Sequence, residues 1–169
     1  MRPFVPIFAR TLHAVALSLW LGGLVAIGAM VAPISFITLR GSSILTLAQA
    51  NGLAGHIVGG SLHLFTSLCY GCGVALLLAN ALLLRHVRRR WALAGIIVTS
   101  LLLGTALTLG FYLTPTMDAA QAHGDLATFD RLHHLYEQVS SVVQMPLLLL
   151  LALFGALRDT PSKEGREDA

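Results

Sequence analysis

Four side chains of this 169-residue chain stand out as candidate ligands for a metal ion. His63, His133, His134 and Glu137 offer imidazole nitrogen and carboxylate oxygen, which suit zinc or copper, and Met117 or Met145 could add a soft thioether for cuprous ion. His133 and His134 are adjacent rather than the i, i+4 pair that puts two ligands on one helical face, so only one of them joins such a group easily. His13 offers different chemistry, as an axial ligand for haem b in an apolar slot. Cys69-Tyr70-Gly71-Cys72 has redox or metal-motif spacing, but it falls in a long apolar stretch beside Gly73, where close helix packing is the simpler use. Gly55-His56-Ile57-Val58-Gly59 fits close helix approach, within the chain or between copies. No Walker loop, dinucleotide fingerprint, Gly-x-Ser-x-Gly elbow or His-Glu-x-x-His occurs, so phosphate, nicotinamide and hydrolase readings have no support.

The elements that must position these residues follow from where charge is missing. Hydrophobic residues make up 56% of the chain and charged ones only 11%, at a mean hydropathy of +0.77, which excludes an ordinary water-soluble globule. Length and uniform composition indicate one domain, and two cysteines cannot make a disulfide scaffold. Charge-free stretches run from Thr11 to Leu39, Gly41 to Leu84, Trp91 to Met117 and Gln138 to Leu157, and a spanning helix needs about 20 apolar residues. Splitting the second at Asn51-Gly52, with Gly41 to Ala50 at the interface as a short helix capped by Ser42 or Ser43, gives spans of about 10–32, 54–84, 91–113 and 134–157. Lipid offers backbone groups no partners, and the ten-residue alternation of a barrel is absent, so the expectation is an all-α integral membrane four-helix bundle.

Lys and Arg set its orientation. Arg2, Arg10, Arg85, Arg88, Arg89, Arg90, Arg158, Lys163 and Arg166 fall on one side, leaving Arg40 and Arg131 on the other. The positive-inside rule then puts both termini in the cytoplasm and the Thr114 to Leu132 loop outside. This also accounts for the basic pI without a nucleic-acid partner. The first apolar run is too long for a signal peptide and stays as an anchor in the inner cell membrane, whereas the polar tail, residues 158–169, has nothing to bury.

Depth groups the polar residues. His63 lies two turns below His56 on the second helix, and Asp130, His134, Glu137, Ser141 and Gln144 form one stripe on the fourth. Thr105, Thr108 and Tyr112 share a face of the third. The stripe must face protein or water, which places a polar cleft in the outer half between the second, third and fourth helices. Interhelical hydrogen bonding alone would also explain such residues. His56 and His123 read as interface or loop residues. His13 and His86 share the cytoplasmic end and could pair there, although His86 in its arginine-rich loop reads as a headgroup contact; His13 and His63 differ in depth by more than about 20 Å, too far for one iron.

Leu12-His13, Leu19-Trp20-Leu21-Gly22-Gly23 and Ala32-Pro33-Ile34-Ser35-Phe36, then Ala54-Gly55, Tyr112-Leu113-Thr114-Pro115 with Met117-Asp118, and Phe129-Asp130-Arg131-Leu132-His133 resemble, in order, the domain of unknown function 4149 family of transmembrane protein 205-like proteins. The resemblance implies a four-helix membrane protein of unsettled role and carries His133 over as the family's Leu-His position. The interval from His13 to Trp20 is distantly similar to copper-resistance protein D and to the membrane haem-dependent protoporphyrinogen oxidase, which would make His13 the haem ligand. No lysine lies in any span and Pro33 stands further from Trp20, so the oxidase activity does not carry over. The expected function is binding of a metal ion or small polar solute in the extracytoplasmic cleft through His63, His133, Glu137 and Gln144, in metal handling or transport. The alternatives are a haem b redox protein and a non-catalytic assembly or scaffold subunit, as a homo-oligomer or beside a membrane-complex partner.

Overall fold

In lipid a chain must satisfy its backbone within each segment, and apolar residues long enough to cross do so as helices. The computed structural model describes residues 4–158, and every regular element among them is helical. Seven α-helices run α1 Phe4–Ala26, α2 Ala32–Arg40, α3 Leu47–Leu83, α4 Arg89–Thr108, α5 Thr114–Ala122, α6 Leu126–Gln138 and α7 Met145–Arg158. They join into four rods, Phe4–Arg40, Leu47–Leu83, Arg89–Ala122 and Ala127–Leu157, each long and apolar enough to cross a bilayer. The chain is a multi-pass membrane protein of four helices. The tail from Asp159 onward lies outside the described residues.

Two expected breaks in the chain are absent. No interfacial segment ends at Asn51-Gly52: α3 begins at Leu47, where the Thr46 hydroxyl accepts from the Gln49 N–H and the Gln49 side chain accepts from the Thr46 N–H, and it continues through Asn51. The capping box outweighs the local turn signal, and Asn51 accepts a 2.7 Å hydrogen bond from Arg40 Nε that ties α2 to α3. The expected Thr114 to Leu132 loop is likewise mostly helix, with only His123, Gly124 and Asp125 turning between α5 and α6. Gly124 sits at φ 71°, which suits a residue without Cβ.

Three of the rods contain π turns, at Ile27–Val31, Leu109–Leu113 and Val139–Gln144, and each stands just before a proline: Pro33, Pro115 or Pro146. Proline supplies no N–H and crowds the carbonyl four residues back, so an unmodified α-helix would strain there. The residue before each proline bonds back five positions instead of four, from Ala32 to Ile27, Thr114 to Leu109 and Met145 to Ser140. The wider turn gives the ring room while the rod continues.

The rods pack as an antiparallel ring, α1 on α3, α3 on α4, α4 on α7 and α7 back on α1. Small residues allow close approach, as lipid-embedded helices require. A Cβ at Gly23 would collide with Phe65, at Gly73 with Leu103, at Gly95 with Asn80, and at Gly110 with Tyr70 and Thr66. Cys69 and Cys72 are buried in this core as free thiols with Trp20, Leu76, Leu102, Leu148 and Leu151. Gly55 and Gly59 meet nothing within 4 Å, so that pair is not used for packing within the chain.

Asn80 is the polar lock of the core: its amide donates to Leu76 O at 2.9 Å and to Thr99 Oγ1 at 3.4 Å, and Thr99 donates to Gly95 O at 2.7 Å. Gly95→Ala drives a methyl into this network and should destabilise the protein by about 1–3 kcal/mol. Gly104→Ala, at a site with nothing within 4 Å, should be neutral or stabilising. Thermal unfolding of both variants in detergent checks the contrast.

Candidate functional site

Helix α6 presents the predicted ligands, and its first turn fixes where they point. Asp125 is its N-cap, with the carboxylate accepting from the Thr128 N–H at 3.1 Å. Phe129, one turn on, stacks its ring on His133 with centroids 5.8 Å apart. Met117 packs with Leu109 and Leu113 against Phe129, Leu132 and Tyr136, docking α6 on the third rod.

Glu137 is bracketed by both histidines: His133 Nε2 lies 3.3 Å from one carboxylate oxygen and His134 Nδ1 3.3 Å from the other. His133 lines a cleft, whereas the His134 side chain is 74% exposed and turned away. The cleft, about 450 Å³ and open on one side, lies between the first, second and fourth rods. Leu24, Val25, Ile27, Val58, Leu62 and Phe65 make its apolar walls. His133, Tyr136, Glu137, Ser140 and Ser141 make the polar one, and Tyr136 also reaches the Thr66 side chain of α3. The Ser140 hydroxyl is buried and has no hydrogen-bond partner.

This cleft differs from the expected one in three ways. It uses the first rod instead of the third. His63 does not reach His133 or Glu137; its Nε2 pairs with Asp118 of α5 at 3.3 Å, joining the second and third rods. The polar stripe also splits, because the π turn rotates everything beyond it: Gln144 turns into the core and donates to Thr105 Oγ1 at 3.4 Å, while Ser141 donates to Glu137 O at 2.6 Å. Among the described residues no three His, Cys, Asp or Glu side chains group to hold a metal ion.

The remaining histidines are dispersed. His13 is buried in a second cavity of about 280 Å³ at the other end of the bundle, with Arg10, Leu17, Ser18, Leu83 and Gly155. His86 is exposed and does not line that cavity. His56 and His123 are exposed, as expected, and His123 Nδ1 lies 2.7 Å from Ala119 O at the end of α5.

Ser140 and the π turns escaped sequence reasoning. The signal for the turns was the triplet of prolines inside apolar runs, at Ala32-Pro33, Thr114-Pro115 and Met145-Pro146.

Residues 15–125 match the family described as Domain of unknown function (DUF4149). The chain belongs to that family. The match takes in the second half of α1 and all of α2 to α5, so the family's region includes His63 and Asp118 while His13, His133, His134 and Glu137 lie outside it. No curated protein and no solved structure matches the chain.

Hydrogen bonds from the Thr128 side chain and N–H hold the Asp125 carboxyl below the usual carboxylate range. A carboxyl pKa lowered by folding stabilises the fold above the unfolded value, near 4, and that contribution is lost as pH falls through the folded value. Acidification from about pH 6 to about pH 3 should therefore lower the amide protection factor of Thr128, and Asp125→Asn, which keeps an acceptor but cannot titrate, should abolish that dependence. Hydrogen exchange across the first turn of α6 reads both.

Proposed function

We propose that the protein binds a small amphipathic solute with an ammonium head in the cleft between α1, α3 and α6. The observation that carries this reading is the division of the cleft into apolar walls and one polar wall whose only acid is Glu137. A carboxylate attracts an ammonium, Tyr136 and Phe65 offer ring faces to a cation, and the partnerless Ser140 hydroxyl can accept a hydrogen bond. The volume is in the range of small-molecule sites.

Membrane depth supports the same solute. From Arg10 to Leu24 is about 21 Å of helix and to Ala32 about 33 Å, so the cleft reaches the far edge of a hydrocarbon layer about 30 Å thick that starts at the arginines. An amphiphile there keeps its head at the boundary and its body in the apolar part. Arg10, Arg85, Arg88, Arg89 and Arg90 at the other end support cytoplasmic termini, an extracytoplasmic cleft and residence in the inner cell membrane.

A dansyl-alkylammonium probe tests this by fluorescence titration of the purified protein. Glu137→Gln should weaken binding about tenfold or more, equivalent to about 1.4 kcal/mol. Ser140→Leu, which fills the polar wall, should weaken it as well. Unchanged affinity in both variants removes the solute from this cleft. Zinc or cuprous ion titration with and without His133→Ala distinguishes the metal reading, which requires a stoichiometry that this substitution lowers.

A further inference from the structure

The two cavities lie on one seam. The cavity at the arginine end is lined by Arg10, His13, Leu17 and Ser18 of α1 and by Ala152, Gly155 and Ala156 of α7; the cleft at the other end is lined from Leu24 onward on the first rod and up to Met145 on the fourth. From Leu17 to Leu24, and equally from Met145 to Ala152, is about 10 Å of helix. That short interval holds Trp20, Leu148 and Leu151, each fully buried and packed in one cluster. Within it the Trp20 indole N–H is buried without a hydrogen-bond partner. Both rods carry a proline-linked π turn beside the cleft, at Ile27–Val31 and Val139–Gln144.

We infer that the α1–α7 seam is a permeation route for amphipathic ammonium solutes, with the Trp20, Leu148 and Leu151 layer as its gate; this rests on the ammonium reading of the cleft. A dry apolar constriction closes such a route by excluding water. The buried indole N–H acts against closure, because it lacks an acceptor when the layer is dry and gains one when a water enters. Glu137 lines the cleft, so a cation is held there before it meets the packed layer.

The test uses full-length protein in proteoliposomes and the same dansyl-alkylammonium probe at neutral pH, where its amine stays protonated and crosses lipid slowly. Saturable uptake above that of protein-free vesicles is expected. Leu148→Ser, which eases wetting of the layer, should raise the rate several-fold. Trp20→Phe, which keeps the ring and deletes the N–H, should lower it several-fold while leaving probe binding at the cleft unchanged. Should the wild type bind the probe yet pass it no faster than empty vesicles, or should both variants match the wild-type rate, the route is overturned and the binding reading stands. Loss of binding itself would overturn both.

Discussion

Inside hydrocarbon a backbone carbonyl has no water to turn to, and a proline in the helix interior withdraws the N–H that would have served it. Three of the four rods contain that conflict and resolve it identically, with a π turn ending just ahead of Pro33, Pro115 or Pro146. The Thr114 hydroxyl also donates to Leu109 O at 2.8 Å, and the Thr116 hydroxyl to Tyr112 O at 2.6 Å. A helix widened by one residue cannot keep its side chains in the phase of the turns below it. The cleft is the consequence, since two of the widened turns, on the first and fourth rods, contribute to its walls.

The same accommodation separates the bundle into two regimes. Below the π turns, glycines opposite Phe65, Leu103 and Asn80 let the rods close on one another, and the core is dense and almost wholly apolar. Above them, polar contacts join rods, Arg40 to Asn51 and His63 to Asp118, while Glu137 pairs with two histidines of its own helix. Helices of 37 residues measure about 55 Å, well beyond a hydrocarbon thickness of about 30 Å, so the upper turns extend into the interface where such contacts are affordable.

Much of the fold was legible in the sequence because charge is so costly in lipid that its absence marks the spans. The charge gaps located all four rods, and the rods observed are the expected ones lengthened chiefly at the end away from the arginines, the first at both ends. Asn51-Gly52 misled because a turn signal is weak against a capping box five residues earlier and an arginine waiting across the hairpin. The candidate site was less legible. Reading Asp130 to Gln144 as one stripe assumes 3.6 residues per turn throughout, and Val139–Gln144 breaks that count, sending Gln144 to Thr105 and leaving His133, not His134, in the cleft. His63 was assigned to the same group by depth alone, whereas its partner, Asp118, belongs to a segment expected to be loop.

The position of Glu137 shows why depth and phase act together. One turn deeper, its carboxylate would lie in hydrocarbon, where an isolated charge is expensive and two exposed histidines could not offset it. One turn higher, it would face bulk water, and a cation would gain little from it through a high dielectric. At the level of the π turn it stands at the rim of an apolar cleft, with His133 held in place by Phe129 on one side. The placement of Glu137 therefore depends on Pro146, two residues past the π turn, which sets the phase between this carboxylate and the buried half of its rod.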